Sequence, residues 1–185
     1  MIKKFELDLS SKITFLGVEL FRIKALISFG NVKEGELGGY VEKEDNLSHS
    51  GNAWVSGNAE VSGNARVSGN AEVYGNARVY GNARVSGNAW VSGNAEVYGN
   101  AEVSGNAEVS GNARVSKLND YILFKNTWSS GRYFTYTKSN KLWKVGCFYG
   151  TSEELIKKAY EDSEVSGKHY EAYVNFVKTL EALDN

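Results

Sequence analysis

The sequence predicts a mainly β chain: a parallel β-helix wound from short repeats, with an N-terminal β cap and a C-terminal α+β module. Three observations carry that expectation. From Gly51 to Ser116 the chain repeats Gly-Asn-Ala-x-Val-Ser or Gly-Asn-Ala-x-Val-Tyr eleven times without a break. The composition holds 20 Gly and no Pro, whereas an average chain of this length would carry roughly 9 prolines. The pattern then stops on both sides, and the flanks read as strands and helices of a different kind.

Residues 1–50 read as the cap. Phe5 to Leu9 and Ile13 to Ile27 alternate like paired strands around a turn at Leu16-Gly17, and Val41 and Leu47 sit six apart like imperfect first rungs. A solenoid needs such a cover, because a bare terminal coil leaves strand edges and apolar core open.

Residues 51–116 are the repeat. Within each six, Ala-x-Val-Ser alternates with period 2, so Ala and Val face one side while x and Ser or Tyr face the other. Gly-Asn supplies the corner: Gly takes backbone angles closed to other residues, and Asn tolerates the left-handed region while bonding neighbouring backbone. The x position runs Trp54, Glu60, Arg66, Glu72, Arg78, Arg84, Trp90, Glu96, Glu102, Glu108, Arg114. Stacked rungs lie about 4.8 Å apart, and like charges there are unfavourable. Three sixes per coil give four opposite vertical pairs and one alike; two give three and three; four give three to one. Charge thus rejects two sixes per coil and leaves three and four open.

Residues 117–185 form the module. Tyr121 to Trp128, Arg132 to Ser139 and Leu142 to Tyr149 read as three antiparallel strands. Thr151-Ser152-Glu153-Glu154 is a capping box opening a helix to about Asp162. A second helix, from about Lys168 to Leu183, carries Tyr170, Tyr173, Val174, Val177 and Leu180 on one face.

Tandem sixes with an aliphatic residue and a small residue two places before it resemble the hexapeptide repeats of left-handed parallel β-helices. That resemblance implies three hexapeptides per coil. The wider match is to bacterial YdcK-like proteins and related phage and prophage proteins. It runs through Leu20-Phe21-Arg22-Ile23-Lys24-Ala25-Leu26, Phe29-Gly30-Asn31-Val32-Lys33-Glu34-Gly35-Glu36-Leu37-Gly38-Gly39-Tyr40-Val41 and Asn46-Leu47-Ser48, into the first repeat. The end of the chain is similar to a small module of the same phage proteins, marked by Gly146-Cys147-Phe148-Tyr149-Gly150-Thr151. The resemblance implies a fold and little chemistry.

The functional expectations follow from what the repeat displays. Net charge is -1, which removes the bulk electrostatic case for nucleic acid or a membrane surface. One Cys cannot form an internal disulfide, no apolar run approaches the roughly 18 residues of a membrane helix, and nothing after Met1 signals export. The expected location is the cytoplasm of a bacterial host cell. Many β-helix enzymes need histidines on the coils, as bases or zinc ligands, but the two histidines, His49 and His169, lie outside them. No catalytic residue, cofactor or metal is therefore assigned. Cys147 reads as a buried strand residue rather than a nucleophile paired with His169. Basic residues interleave with aromatics between Lys117 and Lys144, a pattern suited to single strands but better explained as a sheet burying its aromatics.

The candidate binding residues are Trp54, Tyr74, Trp90, Tyr80, Tyr98, Arg66 and Arg84. At three sixes per coil, Trp54, Tyr74 and Trp90 share one wall, and Tyr80 stacks on Tyr98 on the next. Outward Trp needs a cover, supplied by the chain's own cap and tail, by another copy or by a foreign partner, and Trp and Tyr near Arg make interface hot spots. The expected function is non-enzymatic binding by a phage or prophage-type protein, to a host bacterial protein or to itself as a homo-oligomer. A counter-defence inhibitor of a bacterial immune protein is one form of it. The alternatives are sequestration of a nucleotide signal, with Arg66, Arg84 and the tyrosines at a subunit junction, and a self-assembling scaffold.

Overall fold

The computed structural model describes residues 2–183. The chain divides into two compact units, with the break between Asp120 and Tyr121.

In the first unit every hexapeptide contributes a two-residue strand at x and Val, from Trp54–Val55 to Arg114–Val115. Parallel pairing joins residues eighteen apart: Glu60 to Arg78, Arg78 to Glu96, and Glu96 to Arg114. Three sixes therefore make one coil, which resolves the choice that charge left open. Three walls result. A ladder wall carries Glu60, Arg78, Glu96 and Arg114; a tryptophan wall carries Trp54, Glu72, Trp90 and Glu108; an arginine wall carries Arg66, Arg84 and Glu102. All the repeat alanines and valines are fully buried, and each Val contributes about 1.5 kcal/mol or more of hydrophobic stabilisation. That core exists only because coils stack.

The corners explain the glycines. Every repeat Gly has a φ between 63° and 74°, the left-handed region that L side chains pay to enter. Asn differs from the sequence expectation, because its side chain mostly reaches the next Asn rather than neighbouring backbone. Asn58 Nδ2 donates to Asn76 Oδ1 at 3.3 Å, Asn76 to Asn94 at 3.2 Å, and Asn94 to Asn112 at 3.2 Å. Parallel ladders run through Asn64, Asn82 and Asn100, and through Asn70, Asn88 and Asn106. Identical amides at identical spacing can donate and accept in turn, so each corner gains a register lock.

The cap is a hairpin of Phe5–Phe15 and Val18–Ala25 with its turn at Leu16-Gly17, followed by the strand Leu37–Val41. Leu37–Val41 pairs antiparallel with the hairpin and parallel with the first rung of the ladder wall, Val41 opposite Val61. Leu47 bridges Val67 in the same sense.

This cap closes the upward-facing carbonyls of the first coil with three different kinds of donor. On the ladder wall backbone does it, Tyr40 N to Ala59 O and Glu42 N to Val61 O. On the arginine wall the buried Asn46 amide donates to Ala65 O at 2.8 Å and Gly63 O at 3.2 Å. On the tryptophan wall the Lys4 ammonium donates to Ala53 O at 2.8 Å and Gly51 O at 3.3 Å, above the Phe29 ring. Unsatisfied, each carbonyl would cost about 1–3 kcal/mol.

Burial lowers the Lys4 pKa from 10.5 to about 8. Below pH 8 both folded and unfolded chains hold that proton; between pH 8 and 10.5 the unfolded chain binds more. This group therefore makes stability rise with pH across that window. Chemical denaturation at pH 7.5 and 9.5 should show the rise in the native protein and its loss in Lys4→Met, which should also be less stable overall. An equal pH response in both would refute the role.

The second unit is a four-stranded antiparallel sheet in sequence order, Tyr121–Lys125, Tyr133–Thr137, Leu142–Val145 and Phe148–Gly150. The expected third strand is thus two. Gly146, at φ 56°, breaks Leu142 to Tyr149 into a hairpin, and Cys147 sits exposed in the turn rather than buried in a strand. Helix α1 spans Ser152–Asp162 and α2 spans Glu164–Leu183. The capping box forms as expected, with Glu154 N donating to Thr151 Oγ1 and Thr151 N donating to Glu154 Oε2. The second helix begins earlier than expected, because Ser163 ends α1 and its hydroxyl accepts from Ser166 N to start α2. Phe134, Tyr136, Trp143, Leu155, Tyr170, Val174 and Val177 form the core. The aromatics interleaved with lysines are largely spent there, Trp128 excepted at 78% exposure.

Candidate functional site

The seven candidate residues fall on three different walls. On the tryptophan wall the two indoles at equivalent positions have opposite fates. Trp54, in the first coil, is 5% exposed: Phe29 meets it edge-on at 5.4 Å, and Gly38 lies under its ring, where a Cβ would come within 2.7 Å of it. Its expected role as a binding residue is corrected. The cap buries it, and Trp54 belongs to the fold. Trp90, two coils on, is 42% exposed, with Glu72 and Glu108 as its vertical neighbours. Tyr74 is half-buried on the rung between. Side chains there point outward and lie diagonally across adjacent strands, so Trp90 and Tyr74 share one patch.

On the ladder wall Tyr80 and Tyr98 stack as expected, with centroids 5.2 Å apart and planes 9° from parallel. Phe15, from the turn of the cap hairpin, leans edge-on over Tyr80 at 6.1 Å and lies under the Arg78 guanidinium at 4.7 Å. Burial, reinforced by Glu96, raises the Tyr80 hydroxyl, and burial also raises Glu60 against the opposing pull of Arg78. Arg78 lies 3.4 Å from Glu60 and 3.9 Å from Glu96, and Arg114 lies 3.6 Å from Glu96. The charges here pair with one another, while the facing Glu60 Oε2 and Arg78 Nε are buried without a hydrogen bond.

The arginine wall carries Arg66 directly beside Arg84, and Arg84 reaches Glu102 at 3.4 Å. No tyrosine shares that wall, so one chain does not assemble the Arg-and-Tyr constellation considered for a nucleotide.

The remaining chemistry-bearing residues are engaged locally. His49 Nδ1 accepts from Lys4 N at 3.1 Å, its Nε2 lies 2.7 Å from Glu44 Oε1, and its ring stacks on Phe5. Hydrogen bonding to His49 is the largest cause of the lowered Glu44 pKa. His169 Nδ1 lies 2.8 Å from Val165 O, and its ring lies beside Trp128. Among the described residues no group of three or more His, Cys, Asp and Glu is placed to hold a metal, and no helix is long and apolar enough to cross a membrane.

The cap residues that cover Trp54 escaped the sequence reading, although Gly38-Gly39 beside the first repeat was a usable signal, since adjacent glycines in a strand mark close approach of another group. The flank that Lys43 and Asp45 give to the arginine wall had no such signal.

Eighteen-residue coils, three walls and glycine corners define the class: a three-sided parallel β-solenoid of hexapeptide repeats. The YdcK beta solenoid repeat model matches residues 59–75, 71–83 and 77–93. Over residues 59–93 the repeat is thus similar to the YdcK beta solenoid repeat. No curated protein matches the chain.

Proposed function

We infer that this protein is a non-catalytic binding module that docks a protein partner on its tryptophan wall. The observation that supports this most is Trp90, a large indole held open on a flat, rigid face while its counterpart Trp54 is covered by the cap. Leaving a Trp uncovered costs solubility, and rigid aromatics lose little entropy on binding, which is why Trp and Tyr dominate interface hot spots. Tyr74 extends the patch, and Glu72 and Glu108 rim it with negative charge, favouring a partner with basic residues around an apolar pocket. The resemblance of the sequence to bacterial and phage proteins implies a bacterial protein as that partner, with counter-defence inhibition of an immune protein as its most specific form.

The test is affinity capture from bacterial lysate together with the mass of the free protein in solution. Trp90→Ser combined with Tyr74→Ser should leave the circular dichroism of the native fold and remove the captured species. Capture that survives both substitutions refutes the reading. A free protein whose mass is a multiple of the chain, reduced to one chain by the same substitutions, identifies the partner as a second copy.

A further inference from the structure

We propose that the arginine wall is a second site, independent of the tryptophan patch, that binds the phosphate chain of a small oligophosphate ligand. Parallel pairing sets Arg66 and Arg84 on neighbouring rungs, about 4.8 Å apart at the backbone, where like charges destabilise. Every other charged vertical pair in the repeat is opposite in sign. Arg84 shares its charge with Glu102; the Arg66 guanidinium makes no ion pair, side-chain hydrogen bond or ring contact among the described residues. A column that breaks the alternation with an unsatisfied guanidinium is what a bridging anion would stabilise.

The surroundings give that anion a place. The cap segment beside the wall leaves a groove of about 580 Å³ on one side of the arginine column, where Lys43 adds a third cation and Asn64 and Asn82 line the surface. A second groove of about 730 Å³ lies on the other side of the same column, lined in part by Ser68 and Ser86. Guanidinium forks match phosphate oxygens two at a time, and two forks one rung apart suit consecutive phosphoryl groups. Glu44, Asp45 and Glu102 at the edges oppose an anion and limit its affinity. No Trp, Tyr or Phe lines either groove, so a nucleobase finds no stacking surface and contributes little.

Titration calorimetry with tripolyphosphate, ATP and inorganic phosphate at constant ionic strength tests this. Tripolyphosphate and ATP should bind within about threefold of each other, and inorganic phosphate should bind more weakly. Arg66→Gln and Arg84→Gln should each weaken tripolyphosphate at least tenfold, Glu102→Gln should tighten it, and Arg114→Gln, on the ladder wall, should leave it unchanged. The side chains of Arg66 and Arg84 point outward, so circular dichroism should be unaltered. Absence of binding at millimolar tripolyphosphate, or equal affinity in Arg66→Gln, overturns the site. ATP binding tenfold tighter than tripolyphosphate overturns the phosphate-chain assignment.

Discussion

Replacing Gly87 by Ala should unfold the solenoid at markedly lower denaturant. Gly87 sits in a middle coil at φ 69°, and an added Cβ would lie 2.9 Å from Gly105 N and 3.0 Å from Gly105 O. The left-handed backbone alone costs about 1–3 kcal/mol. The clash adds to it, because both atoms belong to the next corner and cannot turn aside as a flexible side chain would. Separating the coils would weaken the ladder bonds at that corner, including Asn88 N to Gly105 O. In a structure stabilised by nearest-neighbour stacking, a loss in the middle uncouples the coils on either side. Gly35→Ala is the comparison: φ is 83° but nothing lies within 4 Å of its Cβ, so it should show the conformational cost without the clash. Equal destabilisation of the two variants, measured by urea denaturation, would mean that close coil approach is not what requires glycine.

The second large effect separates two residues that the sequence presents as equivalents. Trp54→Ala should destabilise the first unit by about 3–5 kcal/mol, the range for emptying a buried aromatic site, because its ring fills the space between Phe29 and Gly38. Trp90→Ala should cost far less, since 42% of the residue is already in water, yet it is Trp90 that should carry association. Denaturation of both variants against the native chain gives the comparison. Similar losses of stability would show that the cap does not use Trp54 as a core residue.

This contrast also marks where the sequence stops being sufficient. Period 2 in Ala-x-Val-Ser and a Gly at every corner dictated strand, face and turn, since only a few backbone states satisfy both, and the eighteen-residue coil followed once the resemblance joined the charge alternation. Which copy of a repeated residue is buried was not legible, because Trp54 and Trp90 have the same hexapeptide around them. Their difference arises from being in the first coil or the third, and from the approach of Phe29, distant in sequence. The break at Gly146 was missed for a related reason: Leu142 to Tyr149 alternates well enough for one strand, and a single glycine in it reads equally as strand or turn. Arg66 and Arg84 were legible as a like-charged pair, but the groove beside them depends on where residues 43–49 fold back.

Hydroxyl-radical footprinting of the protein, free and in complex with its captured partner, tests most directly whether Trp90 is the contact surface. The prediction is that Trp90 and Tyr74 are oxidised in the free protein and protected in the complex, with Trp54 unreactive in both. Trp90 oxidised equally in the two states would contradict it.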